Sequence, residues 1–237
     1  INVVLFALLF SKGANHAIPV SKKYWEQQIP VPEKTEDPMQ KQVYKVGHLF
    51  YGTGTDKQRP EYGKNVSLKT EPVDGSVCLQ PLSAIKSKLR NAYWGFGTDR
   101  LPLNARVWYP QQKGNFPLVV FVHGNHLMSD YSDEGYAYMG ELLASKGFIV
   151  VSIDENFLNE SWFDDFWFGE MNTRAWLILK HLEYWRKWST MQGNPFQGKV
   201  DMNNICLVGH SRGADAVSIA LALNKLDKYP YDGRTKF

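Results

Sequence analysis

Ile205-Cys206-Leu207-Val208-Gly209-His210-Ser211-Arg212-Gly213 is the stretch on which the reading of this chain turns. Four apolar residues in a row, closed by glycine, suit a buried strand covered on both faces, as in a parallel sheet. From Arg212 to Asn224 the sequence is rich in Ala and Leu and reads as a helix. Between them, Gly-His-Ser-Arg-Gly fits G-x-S-x-G in the strand-to-helix setting that this pattern requires. Gly209 and Gly213, two residues either side of the serine, leave room where strand and helix pack closely. The strained bend lifts the hydroxyl of Ser211 clear of the sheet edge. The helix N-terminus aims backbone N–H groups and a positive dipole end at the same place, which favours an oxyanion. A glycine-flanked structural turn is the plain alternative.

Working upstream, the same alternation of buried strand and helix recurs. Leu118 to Val122 is a continuous apolar run bounded by turn residues. Asp133 to Lys146 reads as an amphipathic helix with Tyr136, Met139, Gly140 and Leu143 on one face, ended by Gly147. Phe148 to Ile153 is a second buried strand, and about Thr173 to Trp188 a second helix, with Ala175, Ile178, Leu179, Leu182 and Trp185 as its stripe. Strand, helix, strand, helix, strand, helix implies a parallel sheet with right-handed crossovers. Earlier, Gln42 to Tyr51 alternates as a strand and Leu103 to Tyr109 as a half-exposed strand, and a helix is expected near Leu82 to Ala92. Gly52-Thr53-Gly54-Thr55-Asp56 has the glycines of a nucleotide loop, but Arg59-Pro60 follows where a helix should open, so a turn with an Asx-type cap is the reading.

His123-Gly124-Asn125-His126 lies just past the strand Leu118 to Val122. Loops at the carboxyl ends of parallel strands line the ligand crevice. An N–H from this loop, that of Asn125, would pair with the N–H of Arg212 as a two-donor hole, with Gly124 letting the backbone approach closely. Together the run Phe121 to His126 and the elbow GHSRG resemble the α/β-hydrolase fold, over residues from about 100 to 226. The branch resembled is that of esterases and lipases, which includes platelet-activating-factor acetylhydrolases, dienelactone hydrolases and cutinases. The fold class implied is α/β: a mostly parallel sheet with flanking helices and leading antiparallel strands. The activity implied is cleavage of a carboxylic ester through an acyl-enzyme, with Ser211 as nucleophile, Asn125 and Arg212 as oxyanion hole, and no cofactor.

One departure accompanies the match. The chain order in that superfamily is serine, then acid, then histidine. Only 26 residues follow Ser211, and none is a histidine. His210 adjoins the serine, and His123 and His126 precede it. Asp215 and Asp227 fall in or just after the elbow helix and read as surface or capping residues. The acid and the histidine are therefore expected beyond residue 237, with the domain C-terminally incomplete and this chain alone inactive. Two rivals stay open: an amide or peptide hydrolase on the same scaffold, and a non-catalytic binding module that kept the elbow.

Asn156 to Gly169 carries six aromatics, among them Trp162, Phe163, Phe166 and Trp167, on the rim shared with the elbow. They suit a substrate pocket or lid, with ordinary packing as the alternative. Asp154, Glu155, Asp164, Asp165 and Glu170 in the same region read as a solvated acidic loop; no His or Cys spacing makes them a metal site. Trp185 and Trp188 read as packing, and Cys206 as an inert buried hydrophobe.

The rest of the composition narrows the class. Twenty-seven basic against 24 acidic side chains in 237 residues give +3, which does not call for nucleic acid, and the expected partner is a small-molecule or lipid-like ester. Two cysteines exclude a disulfide scaffold. Residues 1–17 open with INVVLFALLF, a remnant of a secretory signal or membrane anchor, with a buried core segment as the alternative. As a signal or anchor they imply a secreted, periplasmic or membrane-associated protein, and as a core segment a cytoplasmic one. Residues 18–41, with several prolines and charges, read as a linker or arm, and 42–237 as the α/β domain.

Overall fold

A computed structural model describes residues 43–162, 169–230 and 233. The apolar opening, the arm over 18–41, Phe163, Asp164, Asp165, Phe166, Trp167 and most of the end after Pro230 lie outside the described residues. No helix among the described residues is long and apolar enough to cross a membrane.

The apolar runs pair into one six-stranded sheet. Its strands are β1 (Val46–Gly52), β2 (Leu68–Lys69), β3 (Asn104–Pro110), β4 (Phe116–Val122), β5 (Ile149–Asp154) and β6 (Val200–Gly209), in the order β2-β1-β3-β5-β4-β6. β4 runs parallel to both β5 and β6, and β3 alone runs against its neighbours. The helices are α1 (Ala84–Trp94), α2 (Ala137–Ser145), α3 (Met171–Thr190) and α4 (Arg212–Leu223). A short 3₁₀ turn, Asp133–Tyr136, leads into α2 and supplies the first part of the helix expected from Asp133.

Strand periodicity sorts the core into two layers. Leu118, Val120 and Val122 of β4, with Ile149, Val151 and Ile153 of β5, face α3 and α4, where Ala175, Ile178, Trp185, Ala216 and Ala220 meet them. Val119, Phe121, Val150 and Trp108 point the other way, onto Ala144 of α2. Gly140 is required on that helix, because a Cβ there would stand 2.3 Å from the Trp108 ring. Each fully buried aliphatic side chain contributes about 1.5–3 kcal/mol. Trp185 and Trp188 are packing residues, with Trp185 between Tyr51 and Phe196.

Two expectations about exposure are corrected. β3 is buried on both faces, not half-exposed, because α2 covers Trp108 while Ala105 and Val107 join the opposite layer. β6 is not a buried strand, and Cys206 is exposed. Among the described residues β6 pairs only with β4 and forms the sheet's edge, so its apolar run lacks the cover that a central strand receives. Its pairing also shifts between Pro117 and Leu118. Pro117 has no N–H for the ladder, and Asp201 collects the loosened strand by accepting from Asn203 N–H (3.0 Å) and Asn204 Nδ2 (2.7 Å).

Candidate active site

β6 ends at Gly209 and α4 begins at Arg212, so two residues make the whole bend. Ser211 takes φ 52° and ψ −124°, and among the described residues it alone of the non-glycines has positive φ. A backbone of this kind costs a residue with a Cβ about 1–3 kcal/mol, which the surroundings must supply. They do so by hydrogen bonds: His210 N–H donates to Val122 O (3.1 Å), Gly213 N–H to His210 O (2.8 Å) and Ala214 N–H to Ser211 O (2.9 Å). Ser211 is exposed.

Each motif glycine has a steric reason. A Cβ on Gly209 would lie 2.4 Å from the Gly213 carbonyl group, and one on Gly213 would lie 2.2 Å from Val122 O. The helix thus starts in contact with the end of β4. A Cβ on Gly124 would come within 2.9 Å of the Ser211 Cβ and 3.1 Å of His210 Nδ1. The loop after β4 is therefore pressed against the serine, as its position at a parallel strand's carboxyl end dictates.

Asn125, half-buried, is held by its side chain. Its Oδ1 accepts from Glu160 N–H at 3.1 Å, and Met128 N–H donates to Glu160 O at 2.9 Å. His123 fixes the loop from inside. Glu155 N–H donates to its Nε2 (2.9 Å), and its Nδ1 stands 2.7 Å from Gly124 O. A carbonyl can only accept, so the ring carries its proton on Nδ1 and has no nitrogen left over. Burial, with Arg174 nearby, pushes its pKa down to about 3. It is neutral and structural. His181, also fully buried, has its Nδ1 2.7 Å from the Tyr51 hydroxyl and is likewise pushed down to about 3 by burial.

The acidic residues expected to be solvated are instead buried: Asp154, Glu155 and Glu170 are each at most 1% exposed. The reason is the arginines that enter with them. Arg174 donates to Glu155 Oε2 at 3.4 Å and to Asn159 Oδ1 at 2.7 Å, and Arg212 Nη1 contacts Glu170 Oε1. Burial still pushes Glu155 up to about 8 despite Arg174. Asp154, raised by burial to about 7, faces a second cluster, in which Arg59 pairs with Asp133 at 2.9 Å and approaches Asp154 at 3.5 Å. Burial alone would raise Asp133, but Arg59 and Arg106 outweigh it and hold its carboxyl low. No signal in the sequence pairs these residues, since each partner is far along the chain. The Asx-type turn is present: Asp56 Oδ1 accepts from Gln58 N–H (2.8 Å) and Arg59 N–H (3.0 Å). Among the described residues no group of His, Cys, Asp or Glu is placed to hold a metal ion.

Asp215 and Asp227 are exposed. Trp162 is 77% exposed, whereas Phe157 and Leu158 at the start of the aromatic run are core residues. Comparison with curated proteins finds no match. A family model described as Chlorophyllase matches residues 97–230, which hold β3 to β6, the loop after β4, the elbow and the helix after it. That family lies in the esterase branch of the α/β-hydrolase superfamily, and its members are ester hydrolases. With more than half of its length matched and the sheet order in place, the chain belongs to the chlorophyllase family.

Proposed function

We propose that this protein is a serine esterase that cleaves a carboxylic ester through an acyl-enzyme. The observation that carries the reading is the exposed serine at the strained bend between β6 and α4, with Gly124 pressed against it. The Ser211 Oγ attacks the ester carbonyl carbon, and the electron pair moves to the carbonyl oxygen. The N–H groups of Arg212 and Asn125 receive that oxyanion. The tetrahedral species then expels the alcohol, leaving the acyl group on Ser211, and water releases the acid by the same steps.

The proton of Ser211 goes to a histidine, which passes it to the departing alcohol oxygen. Of the described histidines, His123 has both nitrogens engaged, His181 is hydrogen-bonded to Tyr51, His48 sits with Glu141 on the surface, and His126 and His210 precede the serine, against the superfamily's chain order. The order serine, acid, histidine assigns the base and its acid to sequence after residue 237. The substrate is an ester with a large apolar portion. A chlorophyll, to which the family's name points, is one such ester, and the aromatic run in the sequence that includes Trp162, Phe163, Phe166 and Trp167 is our candidate for binding that portion.

The test is labelling of the full-length gene product by a fluorophosphonate, beside its Ser211→Ala variant. The expected result is labelling of the parent only, together with release of alcohol from long-chain esters. Equal labelling of both proteins would remove Ser211 from the chemistry. Labelling without turnover of any ester would favour a binding module that kept the elbow.

A further inference from the structure

Glu170 stands just before α3, is fully buried, and has no part in the chemistry proposed above. A carboxylate without solvent is costly unless a cation holds it. Its cation is Arg212, the residue after the serine. That side chain keeps about a fifth of its surface in water, so it had the choice of extending outward. It turns inward to Glu170 instead.

The contact does not end there. Arg174 N–H donates to Glu170 O at 2.9 Å, one turn into α3. The Arg174 guanidinium reaches Glu155 and Asn159, and Glu155 N–H donates to His123 Nε2 at 2.9 Å. His123 in turn holds the Gly124 carbonyl at 2.7 Å. A run of polar contacts therefore leads from the side chain of Arg212 to the carbonyl of the peptide whose N–H is that of Asn125. Backbone strain at Ser211 would be relieved by rotating the neighbouring peptides, and that rotation would swing the Arg212 N–H away. A guanidinium anchored to a buried carboxylate opposes it.

We propose that Glu170 is a positioning residue, which holds the Arg212 side chain so that the amides of Arg212 and Asn125 stay aimed at one point. This rests on the reading of Ser211 given above. Donors prearranged for charge that develops in the transition state act on kcat more than on KM. A purely structural tie between α3 and α4 would instead lower stability and leave turnover per folded molecule unchanged.

The experiment uses the full-length gene product, with p-nitrophenyl butyrate as the ester. The variants are Glu170→Gln, Arg212→Met (which keeps the backbone amide), both together, and Glu170→Asp. Melting temperature is measured for each. The expected result is a fall in kcat of about tenfold or more in either single variant, with KM within about twofold. The double variant should be no worse than the poorer single, because one link is being broken twice. Glu170→Asp should recover part of the loss. Unchanged kcat in Arg212→Met, or losses that multiply in the double variant, would overturn the proposal. Should Glu170→Gln not fold, Arg212→Met decides alone. Ser211→Ala separates the two ideas: turnover surviving there sinks the serine reading, whereas its loss alongside a normal Arg212→Met sinks only the role of Glu170.

Discussion

Replacing Ser211 by glycine should make the protein more stable than replacing it by alanine. Both variants lose the hydroxyl, and both should be inactive. They differ in the Cβ. At φ 52° and ψ −124° an alanine keeps the full penalty of a side chain in a region that glycine occupies freely. That penalty is about 1–3 kcal/mol. Against it stands the greater freedom of glycine in the unfolded chain, about 0.4–1 kcal/mol. The net expectation is a gain of about 1–2 kcal/mol for Ser211→Gly over Ser211→Ala. For a domain of this size that corresponds to about 2–8 °C in melting temperature. Differential scanning calorimetry or urea titration reads the difference. A glycine variant no more stable than the alanine variant would mean that the bend is unstrained, and the argument for a loaded elbow would fail with it.

Gly213→Ala should destabilise by about 3 kcal/mol or more, since its Cβ would meet Val122 O at 2.2 Å, whereas Gly135→Ala, with nothing within 4 Å, should be near neutral in the same denaturation assay. Stability should fall as pH rises from about 6 to 9. Asp154 and Glu155, pushed by burial up to about 7 and about 8, keep protons in the folded state that an unfolded carboxyl releases near pH 4. The folded chain therefore binds more protons than the unfolded one across this range, and the loss is on the order of 2 kcal/mol. His123 and His181 work in the opposite sense, since they stay neutral when folded and would be protonated in the unfolded chain below about pH 6.5. Asp154→Asn should flatten the alkaline limb of the urea midpoint against pH; an unaltered slope would show that Asp154 is ionised throughout. Cys206, exposed on β6, should react with a thiol reagent in the native state well before the half-buried Cys78, and the reverse order would contradict the edge placement.

What the sequence made legible follows from how local each signal is. The elbow needed only nine consecutive residues, because the strand, the glycines and the helix all leave marks on neighbouring positions. The three parallel strands were visible for the same reason, as apolar runs cut by turn residues. The exposure of Cys206 was not, because an apolar run says that a strand favours cover and not whether a neighbouring strand provides it; β6 has β4 on one side and, among the described residues, no strand on the other.

The buried charges were hidden more deeply. Glu155 and Glu170 sit in an acidic, aromatic stretch whose composition matches a wet loop, and their cations lie 19 and 42 residues away. Nothing in a periodicity marks Arg174 as their neighbour, for it falls on the α3 stripe beside Ala175 and Ile178 and is fully buried with them. Charge can enter that layer only in pairs, since an unpaired carboxylate or guanidinium there would cost more than one pair returns. The pairs therefore had to be built where segments distant in sequence converge, and the carboxyl ends of β4, β5 and β6 are such a place. The same geometry that brings the loop after β4 against Ser211 thus collects the arginines and carboxylates behind it. That coincidence is why the polar residues least legible in the sequence lie directly under the ones that were most legible.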